Sequence, residues 1–281
     1  MKYDGMIFRP PSEADSLILQ VTVGCSYNHC TFCGAYQGKR FRIKSFDEIK
    51  EDVEELSRYN IRRVFLADGD ALSIPQKELL QLLSYLKARA KGLERVGIYA
   101  NAKDILRKDV QELRKLKDLS LGIIYLGVES GDREVLKRIK KNATVNQLVH
   151  AGRRVKESGL SLSEYVIIGL GGKRMWQDHA VETAKVLNRI NPDFIRIRTL
   201  KVLKTMPLYQ KIERGEFIAL NDDEMMKVAF LRHRDHNREF LILCQANFGR
   251  ISGNMTVGLQ QEKLDNLGTG DVLRRIKFWK N

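Results

Sequence analysis

Between Ser16 and Leu200 six short apolar, β-branched runs alternate with amphipathic stretches, and this alternation restricts the fold more than any other feature. The runs are Ser16–Val23, Arg62–Ala67, Val96–Ala100, Gly122–Val128, Ser161–Ile168 and Asp193–Leu200. Helical patterns follow them. One runs from the capping pair Ser45/Glu48 to about Tyr59, and others span Pro75–Ala90, Asp104–Leu116 and Gln177–Ile190. Asp132 and Thr144 stand as N-caps of two more, the second reaching Ser158. Each crossover helix returns the chain in the same direction, so the strands form a parallel sheet. Parallel α/β barrels carry their chemistry on the loops after the strands. Here the unusual turns all fall there: cysteines after the first strand, Asp68-Gly69-Asp70 after the second, Glu129-Ser130-Gly131-Asp132 after the fourth, and Gly169-Leu170-Gly171-Gly172 after the fifth. One composite site is expected.

Three of the four cysteines crowd into Gly24-Cys25-Ser26-Tyr27-Asn28-His29-Cys30-Thr31-Phe32-Cys33-Gly34, while Cys244 stands alone. Thiols so close suit a soft metal, zinc or an iron–sulfur cluster, better than disulfides. Structural zinc closes its tetrahedron with four protein ligands, and His29, adjacent to Cys30, is awkwardly placed to be the fourth. Three thiolates would leave one iron of a [4Fe–4S] cluster open to a small molecule. Cys244 reads as a buried apolar residue. His233 and His236 read as the surface of a helix.

Cys25-x4-Cys30-x2-Cys33 resembles the cluster loop of the radical S-adenosylmethionine (SAM) superfamily, one residue longer than the usual C-x3-C-x2-C. The stretch Gly127-Val128-Glu129-Ser130-Gly131 resembles the matching turn of methylthiotransferases and oxygen-independent coproporphyrinogen oxidases. The resemblance implies a partial (β/α)6 barrel over residues 16–200, an N-terminal segment 1–15, and a C-terminal extension 201–281 packed on the barrel. It implies a [4Fe–4S] cluster on Cys25, Cys30 and Cys33, reductive cleavage of SAM to a 5′-deoxyadenosyl radical, and hydrogen abstraction from an unidentified substrate. Cofactor contacts are expected from Phe32, near adenine, and from the second-strand turn Asp68, Gly69 and Asp70. Glu129 is expected at the ribose, Ser130 in the same turn as a further cofactor contact, Lys141 at the methionine carboxylate, and Ile167 and Gly169 against adenine. The family's terminal acid after the fifth strand is Gly172 here, and the ribose acid of some relatives is Tyr165. Arg196 and Arg198 share one face of the sixth strand, and Arg198 is expected at a SAM or substrate carboxylate. An external electron donor of flavodoxin or ferredoxin type is implied as well.

The chain carries 49 basic and 35 acidic residues, a net +14, and residues 101–200 alone hold 20 basic against 12 acidic. That excess leaves an anionic substrate and nucleic acid open as partners. No apolar run approaches the ~20 residues of a membrane span, and the N-terminus lacks the apolar centre of a signal peptide, so a cytoplasmic protein is expected. Two other functions compete: a non-catalytic iron–sulfur electron carrier, which would want a fourth thiolate, and a zinc-bearing nucleic-acid-binding protein. The expected absence of extra domains around the barrel argues against sulfur insertion into tRNA and against cobalamin-dependent methylation.

Overall fold

Six parallel strands lie side by side in the order in which the chain makes them. They are β1 (Leu17–Gln20), β2 (Arg63–Ala67), β3 (Arg95–Ala100), β4 (Leu121–Glu129), β5 (Ser161–Ile168) and β6 (Phe194–Thr199). The computed structural model describes residues 3–56, 59–222 and 224–225, with the strands Arg232–Asp235, Arg238–Leu241 and Met255–Gly258. Outside the strands stand α1 (Phe46–Leu56), α2 (Gln76–Arg89), α3 (Ala102–Leu106), α4 (Val110–Asp118), α5 (Arg133–Arg138), α6 (Val145–Glu157) and α7 (Gly172–Ile190), and α8 (Pro207–Glu213) follows β6. Met255–Gly258 pairs antiparallel with β6 at the far edge. This is the mixed α/β partial barrel that the alternation predicts.

Period-two alternation divides each strand between two cores. On β4, Ile124, Leu126 and Val128 face the helices and join the main core, while Ile123 and Tyr125 face inward with Phe65 and Ala67. Sequence-coded caps open the helices as expected. Ser45 and Glu48 exchange their bonds, Val135 N donates to Asp132 Oδ1 at 2.8 Å, and Thr144 forms a capping box with Gln147.

Several boundaries differ from expectation. The first strand stops at Gln20, and Thr22–Val23 pairs instead with Arg42–Ile43, because Lys44 N bonds to Val21 O and folds the cysteine loop back. The helix expected over 104–116 is two, α3 and α4, because Asp109 and Glu112 close a new capping box between them. The last barrel helix starts at Gly172, with a kink at Met175. Arg232–Asp235, expected as helix, is a strand paired with Arg238–Leu241. Cys244 and His236 lie outside the described residues.

The N-terminal segment closes the bottom of the barrel. Glu13 is fully buried beneath it, ion-paired to Arg95 at 2.7 Å and hydrogen-bonded by Ser16 and Tyr125. Part of the basic excess is structural too. Arg154 donates to the carbonyls of Leu106 and Lys108 at 2.8 Å, and Arg153 to that of Arg189 at 2.8 Å, so both cations cap neighbouring helix ends. No helix among the described residues is long and apolar enough to cross a membrane.

Candidate active site

The cysteine loop is pinned on three sides at the C-terminal ends of the strands. Gly24, just before Cys25, donates from N to Asp68 Oδ2 at 3.1 Å, and its carbonyl accepts from Gly69 N at 3.0 Å. Thr31, between the other two cysteines, donates to the Ile139 carbonyl at the end of α5 and accepts from Leu208 N at the start of α8, each at 2.9 Å. Asn28 Nδ2 closes the loop on the Tyr36 carbonyl at 2.7 Å. The run Lys137-Arg138-Ile139-Lys140 therefore borders the loop, with Lys137, Arg138 and Lys140 exposed.

Cys25, Cys30 and Cys33 are free thiols, each partly exposed. Burial pushes the Cys30 thiol up to about 11 against the pull of Lys141, and burial raises Cys33 too. Such thiols become thiolates only when positive charge arrives, which a metal centre supplies. No three His, Cys, Asp or Glu groups among the described residues converge to hold one ion. A cluster in which each thiolate takes a different iron does not require that convergence.

The second-strand turn is tied to this loop. Asp68 is buried, its Oδ2 also 3.0 Å from Lys39 Nζ. Gly69 is glycine because the Tyr36 ring lies against it: a Cβ there would come within 2.4 Å of that ring. Asp70 is buried, bonded by Ser26, by Asn101 N at 3.1 Å and by Asn101 Nδ2 at 2.7 Å. Burial, then the nearby Asp104, push its carboxyl up to about 7. Both acid side chains thus brace the loop; what the turn offers outward is its backbone.

Glu129 folds back over its own strand. It has φ 61°, the β4–β5 register shifts there, and a Cβ on Gly127 would stand 1.9 Å from Glu129 Oε1. Lys141 Nζ donates to that oxygen at 3.2 Å, with both side chains 11% exposed. Burial lowers the lysine's pKa, yet Glu129 and then Cys30 raise it further, so it stays cationic beside the cysteines. The hydroxyl of Ser130, expected as a cofactor contact, lies 2.8 Å from His179 Nδ1 and accepts from Asp132 N at 3.0 Å. His179 Nε2 sits 3.1 Å from the Ile167 carbonyl, so one buried imidazole joins the fourth turn to the fifth strand. Burial holds it neutral, down to about 4.

Ile167 is partly exposed at the end of β5, and Phe32 is partly buried against the main core. Gly169 is covered by Met225, whose methyl group would stand 2.4 Å from a Cβ there. On β6 both arginines face inward. Arg196 donates from Nε to Ser163 Oγ at 2.6 Å and lies over the Tyr125 ring, while Arg198 lies over Tyr165, 5.3 Å from its centroid.

The three cysteines, Asp68–Asp70, Glu129 and Lys141 thus come together at one rim, whereas Ser130 serves the scaffold. Tyr165, named above for standing where some relatives carry a ribose acid, lies in the same region. Tyr36, Tyr99, Ser26, Asn101 and His179 lie there too and were not singled out from the sequence. For Tyr99 and Tyr165 the period-two pattern was a usable signal; for His179 there was none.

The family model described as "Radical SAM superfamily" matches residues 19–184. Among curated proteins, the chain is 28% identical over 119 residues to a tRNA uridine(34) acetyltransferase of Methanocaldococcus infernus, covering 42% of this chain and 22% of that protein. It is 24% identical over 162 residues to the threonylcarbamoyladenosine tRNA methylthiotransferase MtaB of Bacillus subtilis, covering 55% and 36%. Coproporphyrinogen III oxidase from Escherichia coli, a radical SAM enzyme, superposes with TM-score 0.57 at 14% identity, over 76% of this chain and 50% of that one. The chain thus spans well under half the length of these curated relatives.

Proposed function

The chain belongs to the radical SAM superfamily, and from that premise we propose that its cysteine loop carries a [4Fe–4S] cluster and its strand ends hold SAM for radical chemistry on a separate substrate. When bound, such a cluster supplies the electron that cleaves SAM into methionine and a 5′-deoxyadenosyl radical. The protein's own residues have narrower tasks. Cys25, Cys30 and Cys33 hold three irons. Lys141, kept cationic and fixed by Glu129, meets the methionine carboxylate. The second-strand turn offers backbone acceptors to the ammonium, Gly69 being held in place by Tyr36 and Gly24. Ile167 and Phe32 border the adenine, and Glu129 retains an oxygen for the ribose. The carrying observation is the union of three unpaired thiols with a buried lysine–glutamate pair on the rim of a parallel barrel.

Members of this superfamily need a reductant as well as a substrate. A small acidic electron carrier suits the exposed Lys137, Arg138 and Lys140 beside the cysteine loop. A cytoplasmic setting, which keeps thiols reduced, suits a cluster held by three cysteines. A catalytic role is favoured over electron carriage by the match to the radical SAM family model.

Anaerobic reconstitution with iron and sulfide tests this reading. Four irons and four sulfides per chain are expected; Cys25→Ala, Cys30→Ala and Cys33→Ala should each lose them, and Cys244→Ala should keep them. A single bound zinc, or cluster loss in Cys244→Ala, would overturn the ligand assignment.

A further inference from the structure

The barrel interior forms a cup below the cysteine rim. Its floor is sealed: Phe65 is 0%, Ile123 2% and Tyr125 1% exposed, with Glu13 beneath. One layer higher, Tyr99, Tyr165 and Arg198 are partly open to solvent. Tyr99 and Tyr165 make two aromatic walls, ring centroids 6.4 Å apart. Arg198 stacks on Tyr165 and makes no ion pair among the described residues. The Tyr165 hydroxyl is buried beside the Arg198 guanidinium and the Tyr99 hydroxyl and makes no hydrogen bond of full geometry to either.

Resting on the reading that SAM binds at the rim above, we infer that this cup is an oxyanion site for a small organic substrate, received by Arg198 and the Tyr165 hydroxyl. Three observations carry it. A stacked guanidinium without an ion pair has its plane fixed by the ring and can turn an edge to a planar anion, receiving it bidentately. A buried hydroxyl without a well-formed hydrogen bond gains one when a ligand oxygen arrives. The acids that could neutralise Arg198 are engaged elsewhere: Glu13 pairs with Arg95 below the floor, and Glu129 with Lys141 at the rim. Arg196, on the same wall, adds positive charge from a position fixed by Ser163. Aromatic walls favour a flat or apolar body behind the anion. The shared chemistry is an oxyanion, either carboxylate or phosphate.

Benzoate, phenyl phosphate and neutral benzamide serve as probes, measured by saturation-transfer NMR on the reconstituted holoprotein, with SAM binding determined on the same samples. Benzoate or phenyl phosphate should bind saturably and at least about tenfold more tightly than benzamide, the size of one charge-assisted pair. Which of the two binds tells carboxylate from phosphate. Arg198→Ala should erase the preference and Arg198→Lys restore part of it. Tyr165→Phe, nearly isosteric, should weaken the anion several-fold. Equal binding of benzoate, phenyl phosphate and benzamide would overturn the inference, as would a preference unchanged in Arg198→Ala. So would an Arg198→Ala loss of SAM affinity equal to its loss of anion affinity, which would make the arginine a cofactor residue. Wild-type protein that binds the anion but not SAM would sink the functional reading and leave the anion site standing.

Discussion

The Lys141 ammonium donates to Glu129 Oε1 at 3.2 Å, and the Glu129 carboxylate in turn folds over Gly127, so one buried ion pair is built into the end of β4. Removing one partner of such a pair leaves an uncompensated charge and costs about 3 kcal/mol or more. Lys141→Met should lower the unfolding midpoint and raise the Kd for SAM at least about tenfold, the loss of one charge-assisted contact. Lys141→Met with Glu129→Met should recover stability without recovering SAM binding. Recovery of both would mean the pair is structural only.

His179 makes stability fall on the acid side. Burial depresses its folded pKa from 6.5 to about 4, so below pH 6.5 the unfolded chain takes the proton more readily. The contribution is complete above pH 6.5 and declines by about 3 kcal/mol as pH falls to 4. Urea unfolding at pH 7, 5.5 and 4.5 should show a shallower slope for His179→Gln than for the unsubstituted protein.

Asp70 acts in the opposite direction. Its carboxyl is raised from 3.8 to about 7, first by burial and then by Asp104, so the folded state holds the proton more tightly. Its contribution is full below pH 3.8 and is lost as pH rises toward 7. Asp70→Asn keeps an acceptor for Asn101 N and should flatten stability over that window. An Asp70→Asn profile identical to that of the unsubstituted protein would show that Asp70 ionises normally.

Glu164 points from β5 toward α6, is 0% exposed, and neither carboxylate oxygen has a hydrogen-bond partner. Burial raises its pKa well above the usual range. Replacing an unsatisfied buried acid by an apolar side chain of similar length should stabilise by about 1–3 kcal/mol. Glu164→Met should therefore melt higher at pH 7, with the gain widening as pH rises and the native carboxyl is forced to ionise. A lower melting temperature would reveal a partner for Glu164.

The six strands, their parallel order and the cysteine loop were legible because each rests on a local pattern: period-two runs, caps, and three closely spaced thiols. The capping pairs at Ser45, Asp132 and Thr144 are local in the same sense. What the sequence could not disclose lies between distant segments. Glu13 reaches Tyr125 across the barrel floor, His179 joins Ser130 to Ile167, and Arg153 and Arg154 cap helix ends rather than facing a partner. Ser130 looked like a site residue because its turn resembles a family motif, yet its hydroxyl is held by His179, 49 residues further along the chain and beyond any local rule. The inward face of Arg196 and Arg198 was undecidable from alternation alone, which fixes that two residues share a face but not which face is the core.

The central claim is that this chain cleaves SAM reductively at its cysteine loop. The most direct measurement is release of 5′-deoxyadenosine from SAM by the anaerobically reconstituted protein, with and without dithionite. The account predicts dithionite-dependent release, abolished in Cys25→Ala, Cys30→Ala and Cys33→Ala. A protein that holds its full cluster yet releases no 5′-deoxyadenosine under reduction would contradict it.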